Sequence, residues 1–549
     1  MNRYDLIVVG GGPAGSTAAA IAAKAGLSVL LLEAASHPRV HVGESLLPGV
    51  IPILAKMGAL EDVERAGFTN KTGSTHWGWG LTPEWDLWFA DSEAYEHAWL
   101  VDRSRFDELL FRAAARAGAE ALENAAVKSF VRQGDRVVGV TYRRRGDESL
   151  HTATARFTID ASGAAALMAR EGREGREEGD GRGDGGRSMI EGLQHEASWA
   201  HFEGAGRLPP PRDRQALFIA SEGQWMWHFP LSESRTSIGL IRLAGDDGTD
   251  ERAREQRFDD AVAGEQRLAS VLGPAARRVT PVRNLRDWSY RVSHVVGPGF
   301  FLAGDASGFI DPVLSTGVML AMHAGYHAAT LATEVLRKGL PEEEARARYQ
   351  SQHERFFEDM LRIVRFFYQR HRYRDDYFWE SKRILMNDGN ELRPRKAFMI
   401  LTSGLVRNLA YDEAREGART QRAELDRAGS ELSGHDPDRL GFVCFHLRAR
   451  IEDDDVALYF LIEPKDPAAP TLFQTTNWHL NCLSPKLGND PISVPAVAPH
   501  LRALERAVRA LDTQAGESLS AFWRRTRDRL ADAVRALPKE LALVRVFGE

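Results

Sequence analysis

The stretch from Tyr4 to Glu33, YDLIVVGGGPAGSTAAAIAAKAGLSVLLLE, constrains the fold more than any other part of the chain. An apolar run at Leu6 to Val9 reads as a buried parallel strand, and it leads straight into Gly10, Gly12 and Gly15 and an alanine-rich helix. A second apolar strand, Ser28 to Leu32, ends on the carboxylate of Glu33. Gly10 permits a tight strand-to-helix turn, Gly12 lets a backbone N–H approach a pyrophosphate, and Gly15 lets the helix pack close to the strand. The helix start, through Pro13, Ala14 and Ser16, turns free N–H groups and a partial positive charge toward the phosphates. Glu33 is suited to accept hydrogen bonds from ribose hydroxyls. A glycine-rich loop between core elements is the plainer alternative, but strand, motif, helix, strand and acid in register favour a dinucleotide site.

A chain of 549 residues is too long for one compact core, so two to four structural units are expected. Hydrophobic content of 43% and a net charge of −6 fit an ordinary globular protein and argue against a nucleic-acid binder. With only Cys444 and Cys482, neither a disulfide framework nor a zinc cluster is available, and both are expected as reduced, buried thiols. The first strand opens close to Met1, which leaves no room for a signal peptide. No apolar run approaches the ~18 residues needed to span a bilayer, so stable membrane insertion is not expected. These features describe a cytoplasmic enzyme.

The loop His41 to Gly49 follows Glu33 and is placed to pass near the reactive part of a bound dinucleotide. Alternation from Thr75 to Trp79 suggests a strand, with Lys71 just before it. A lysine at a strand start is ordinarily a surface residue. Here Trp77, Trp79, Trp85 and Trp88 follow closely, and a dry cavity lined by them would lower the amine's pKa and make its nucleophilic form accessible. Arg103, at the start of a helix running to about Gly118, is suited either to a phosphate or flavin edge or to solvent. Strands are expected at Val127–Val131, Val137–Arg143 and Thr152–Asp160. Residues 170–187, REGREGREEGDGRGDGGR, are too polar and glycine-rich to order themselves and read as a flexible loop without chemistry. From His195 to about Leu285 the pattern is strand-rich, and Trp225 and Trp227, two residues apart, point to one face of a strand ending at Pro230. A core aromatic ladder is one account of that pair.

A second signal lies at Val296 to Val318. A strand delivers Gly304-Asp305 to its carboxyl end, where Asp305 is placed for a ribityl or sugar hydroxyl. The N–H groups around Ser315–Val318 then open a helix and form an anion site in principle. The chain turns mainly helical to about Gly429. A small last unit follows, with a hairpin at Val443–Arg450 and Val456–Ile462 and two amphipathic helices.

The glycine fingerprint, Arg103 and Gly304-Asp305 together resemble the FAD-dependent aromatic hydroxylase superfamily. Three further matches narrow this to the flavin-dependent halogenases. Trp225-Met-Trp-His-Phe-Pro230 is similar to their WxWxIP motif, with Phe229 in place of isoleucine. Lys71 in Phe-Thr-Asn-Lys-Thr-Gly matches their catalytic lysine, and Ser315-Thr316-Gly317 their halide loop. The resemblance covers about residues 1 to 400 and implies an α/β fold. A Rossmann-like FAD domain (1–165 and 285–340) carries an inserted antiparallel β-sheet substrate-side domain (166–284). A helical region (341–430) and a C-terminal α+β unit (438–549) follow.

The resemblance further implies FAD, used as FADH2, held by Gly10, Gly12, Pro13, Ala14, Gly15, Ser16, Glu33, Arg103, Val127, Gly304 and Asp305. By the same resemblance, chloride or bromide is expected at Ser315, Thr316 and Gly317, with O2 as co-substrate. It also implies that hypohalous acid made at the flavin travels through a tunnel to Lys71, with Trp225, Trp227 and Pro230 separating flavin from organic substrate, and that a separate flavin reductase supplies FADH2. Leu314 stands where tryptophan halogenases carry a glutamate. That departure, with Tyr377-Phe-Trp379, looks like the halogenases of phenols, pyrroles or carrier-protein-bound aromatics. An NAD(P)H-dependent FAD aromatic hydroxylase is the first rival and an isoprenoid double-bond reductase the second. A non-enzymatic flavoprotein is a third.

Overall fold

The computed structural model describes residues 2–79, 84–92, 95–171, 186–221, 223–243, 251–286, 288–368 and 381, with the strand backbones 443–450, 455–462 and 476–479. The expected aromatic segment Tyr377–Trp379, the two terminal amphipathic helices and Cys482 lie outside the described residues, as does the Cys444 side chain. Two compact units emerge: Met1–Asn387 with Pro394–Tyr411, and Asp388–Arg393 with Asp412–Glu549.

The first unit is built on a sheet whose centre is parallel. Phe300–Leu302, His151–Asp160, Asn2–Val9, Val29–Leu32 and Glu120–Leu122 lie side by side, with Val9 opposite both Asp160 and Leu32. Leu6 to Val9, Val29 to Leu32, Phe157 and Ile159 are buried, on both faces, as central parallel strands require. A hairpin, Ala125–Gln133 with Arg136–Arg144, continues the sheet antiparallel to His151–Asp160. The alanine-rich helix Pro13–Lys24 covers one face and packs on the helix Gly317–Thr333. Small residues permit this approach: a Cβ on Gly325 would stand 2.1 Å from the Ala14 carbonyl oxygen. The carboxyl ends of four strands thus bring Gly10, Glu33, Ala161 and Ala303 to one edge, where a doubly wound sheet binds its ligand.

A second sheet runs in the order Arg277–Arg278, His195–Glu203, Arg235–Leu243, Gln224–Pro230, Ala216–Ser221, Gly73–Trp77, Glu84–Trp88. Sequence reading expects an antiparallel sheet drawn from 166–284; the observed sheet is mixed. It recruits Gly73–Trp77 and Glu84–Trp88 from far upstream, and Gly73–Trp77 runs parallel to Ala216–Ser221. Two stretches distant in sequence meet there, so no hairpin dictates their relative direction.

The expected strand from Thr75 to Trp79 also ends early. Gly78 has φ +76°, and a Cβ there would lie 2.3 Å from the Ala220 carbonyl oxygen, so the strand stops at Trp77 and alternation is broken. Lys71 does not merely precede this strand. It ends a short strand of its own, Thr69–Lys71, paired with Ala98–Leu100.

The long helix Glu342–Tyr368 follows in this unit. In the second unit Val443–Arg450, Asp455–Ile462 and Thr476–His479 form an antiparallel sheet, one strand more than the expected hairpin.

Candidate active site

A cavity of about 540 Å³ opens at the carboxyl edge of the parallel sheet. Gly10, Gly12, Pro13, Ala14 and Glu33 line one end. Gly10 has φ +101°, and a Cβ there would sit 2.3 Å from the Ala161 carbonyl oxygen, so only glycine serves this turn. Gly15 does not line the cavity; a Cβ on it would lie 1.8 Å from the Gly10 carbonyl oxygen, so it permits the close turn instead. Ser16 likewise faces away, donating to the Gly11 carbonyl at 3.0 Å. The Glu33 carboxylate accepts from the Gly11 N–H (2.7 Å) and the Ala35 N–H (2.8 Å), which fixes it at the end of its strand.

The loop 41–45 lines the cavity, and Arg103 holds it there. The Arg103 guanidinium donates to the Val42 and Gly43 carbonyls (2.6 and 3.3 Å) and forms a two-pronged pair with Asp107 (2.8 and 3.1 Å). Burial alone would raise the Asp107 pKa, but Arg103, Arg39 and His41 together outweigh it and hold the carboxyl below its ordinary value. Arg103 therefore contributes to the site both as wall and as brace. Asp107 and Arg39, 3.5 Å apart, were not singled out in the sequence, although the four-residue spacing of Arg103 and Asp107 on a helix was a readable signal.

Asp305 also lines the cavity, and burial pushes its carboxyl up to about 6. Gly304 packs behind it; a Cβ there would stand 2.8 Å from that of Ala14. Ser315, Gly317 and Val318 also line the cavity at the start of the 17-residue helix Gly317–Thr333. Ser315 has φ +58°, and Thr316, buried, occupies the N-cap position without a side-chain cap. The leading N–H groups of this helix and of Pro13–Lys24 have no partner in their own helices. Val127 is not brought to the cavity; it packs partly buried against the core from the hairpin.

Trp225 and Trp227 share a strand face, their ring centroids 6.0 Å apart, and both line the cavity. The aromatic-ladder reading of this pair agrees with the structure, since Phe229 extends the row by stacking on Trp227 at 5.9 Å. The Trp225 Nε1–H donates to the Tyr368 hydroxyl (3.0 Å), which donates to Asp311 Oδ1 (2.9 Å). Pro230 ends the strand and does not reach the cavity. Arg170 and Arg187, the flanks of the segment read as having no chemistry, both line it.

Lys71 is 2% exposed, so the surface alternative is excluded. Its amine donates to Ser45 Oγ (2.8 Å) and to the Leu46 carbonyl (3.1 Å), with the Phe89 ring centroid at 5.0 Å. Burial lowers its pKa to about 7. Ser45 lines the cavity whereas Lys71 does not.

The residues present fit a flavin dinucleotide. The turn at Gly10 excludes a side chain, two helices start at the cavity, acceptors stand at Glu33 and Asp305, and the wall carries the rings of Trp225, Trp227, Trp288 and Phe309 beside the arginines Arg39 and Arg103. Among the described residues no group of three or more His, Cys, Asp or Glu could hold a metal ion, and no helix is long and apolar enough to cross a membrane.

Residues 5–90 and 90–407 match the family model described as tryptophan halogenase. The chain is 32% identical over 412 residues to a tryptophan 2-halogenase of Chondromyces crocatus, spanning 73% of this chain and 76% of that protein. It is also 32% identical over 333 residues to a 1H-pyrrole-2-carbonyl-[peptidyl-carrier protein] brominase of Pseudoalteromonas luteoviolacea, spanning 59% of this chain and 76% of the relative. Among solved structures it is similar to the myxobacterial chondrochloren halogenase. The TM-score is 0.60 at 32% identity, covering 75% of this chain and 92% of the other.

Proposed function

This chain belongs to the flavin-dependent halogenase family, and we propose that it chlorinates or brominates an electron-rich, phenolic aromatic ring through Lys71. The observation that carries this reading is the buried Lys71 amine, hydrogen-bonded to a residue of the cavity wall. FAD, reduced by a separate reductase, supplies with O2 the oxidising equivalent that turns halide into hypohalous acid.

The chain's residues perform binding, separation and aim. The glycine turn and the first helix hold the pyrophosphate, and Glu33 takes the ribose hydroxyls. Thr316 and Gly317 offer N–H groups to the halide at the start of a long helix, beside Ser315, whose own N–H donates to the Pro312 carbonyl (2.9 Å). Trp225 and Trp227 wall the organic ring from the flavin pocket and so suppress direct hydroxylation. Hypohalous acid passes the wall through a tunnel and reaches Lys71, whose pKa of about 7 makes both amine forms accessible near neutral pH. The ammonium donates a hydrogen bond to the hypohalous acid. The neutral amine instead attacks its halogen, giving a haloamine and water; transfer of the halogen to the ring restores the amine. A water-poor surround protects either species. Leu314 offers no carboxylate base, and a phenol needs none because its own ionisation directs attack.

The test is mass spectrometry after incubating the enzyme with FAD, a flavin reductase, NADH and bromide against a panel of phenols. Brominated product supports the reading. Hydroxylated product without halide, with NADPH consumed in the absence of the reductase, supports the hydroxylase instead. The carrier-protein brominase among the relatives makes a tethered substrate the second arm of the panel.

A further inference from the structure

Three strands meet at His76 in the second sheet. Its cross-strand partners are Trp85 on one side and Phe218 on the other. Both rings stack on the imidazole, Trp85 at 4.2 Å and 9°, Phe218 at 5.0 Å and 7°. Trp79 (6.4 Å) and Phe367 (6.2 Å) stand beside it, and Trp79 in turn lies 6.4 Å from Trp225 of the cavity wall. The imidazole therefore sits inside an aromatic cluster that borders the flavin-side wall, close enough to Lys71 to feel its charge.

Two polar atoms of this cluster, His76 Nδ1 and Trp79 Nε1, are buried and have no hydrogen-bond partner among the described residues. Both residues are more than nine-tenths buried. The other imidazole nitrogen, Nε2, lies 3.0 Å from Ser74 Oγ. Buried polar groups are left open in a folded protein where a ligand or water completes them. Burial, reinforced by the Lys71 charge, keeps the imidazole neutral, with its pKa near 3. When Nε2–H donates to Ser74, Nδ1 presents a lone pair. The open pair is thus one acceptor and one N–H donor set among aromatic rings.

We propose that His76 Nδ1 and Trp79 Nε1 form the polar subsite for the organic substrate, and that the group they recognise is a ring hydroxyl. A phenol O–H donates to Nδ1 while its oxygen accepts from the indole N–H, so one group satisfies both. A pyrrole or indole N–H donates only and leaves Trp79 open; an aryl ether accepts only and leaves His76 open. This rests on the reading of Lys71 as the residue that delivers halogen, and it makes His76 a specificity residue rather than a base.

The test compares the FAD-bound full chain with His76→Phe, which keeps a ring between Trp85 and Phe218, and with Trp79→Phe. Binding of phenol, anisole, pyrrole and indole is followed by saturation-transfer NMR, without turnover. KM and kcat for phenol bromination are measured in parallel. The expected result is phenol affinity about ten- to a hundred-fold weaker in His76→Phe, with KM raised more than kcat is lowered. Wild type should bind anisole, pyrrole and indole as weakly as the variant binds phenol. Phenol affinity unchanged in both variants would overturn the proposal, as would a wild-type preference for pyrrole or indole. If His76→Phe fails to retain FAD, Trp79→Phe carries the same comparison. If no ring is halogenated yet the variants still lose phenol affinity, the halogen-transfer reading fails and the subsite stands.

Discussion

The Lys71 amine lies 2.8 Å from Ser45 Oγ, and of the two residues Ser45 lines the cavity and Lys71 does not. The serine is held in turn by its loop, since the Val101 N–H donates to the Glu44 carbonyl and the Leu46 N–H to the Trp99 carbonyl. Ser45→Ala removes a hydrogen-bond acceptor from the amine and touches little else. Halogenation is expected to fall about ten-fold with flavin content unchanged, the size of one lost hydrogen bond to a charged group. Product yield against bound FAD checks this.

Burial of Lys71 also marks the stability of the protein. Its pKa falls from 10.5 to about 7 in the fold, so between those values the unfolded chain binds a proton that the folded chain does not. Stability from this residue accordingly rises with pH across that window, by at most about 1.4 kcal/mol per pH unit, and is flat below about pH 7. Lys71→Met lacks this dependence. Its melting temperature relative to wild type should be highest near pH 7 and decline toward pH 10, as followed by thermal unfolding at several pH values.

Tyr368 links the indole of Trp225 to Asp311, which itself accepts from the Val313 N–H four residues before Gly317. Tyr368→Phe leaves the Trp225 N–H without this partner in a part-buried setting, at a cost of about 1–3 kcal/mol. Because the wall and the halide loop lose their shared tie, more hydrogen peroxide per halogenated product is expected. A peroxide assay run beside product analysis reads that ratio.

Gly12 stands at the start of the first helix, on the cavity. Gly12→Val places a branched side chain where the pyrophosphate belongs, and FAD binding should be lost while the fold survives. Loss of yellow colour with an unchanged circular dichroism spectrum is the expected observation.

Sequence alone made the cofactor end of the site legible because its parts are contiguous: strand, glycines, helix and Glu33 fall within one stretch and obey local rules. The indole pair was legible for the same reason, two residues apart on one strand. What escaped were relationships across strands. His76 meets Phe218 only because Gly73–Trp77 joins Ala216–Ser221 in parallel, and no local pattern encodes that pairing. The tryptophans of residues 77–88 were read as one cavity lining, but the turn at Gly78 sends Trp77 into a separate core cluster while Trp79 and Trp85 join the main one. Arg170 and Arg187 escaped because the segment they flank is polar and glycine-rich, which says nothing of where its ends are anchored.

Halogen transfer by way of Lys71 requires its amine, which Lys71→Ala removes. With FAD, reductase, NADH, bromide and a phenol, the variant should bind FAD and consume O2 as the wild type does, releasing hydrogen peroxide and no brominated product. Bromination at the wild-type rate would remove the lysine from the mechanism.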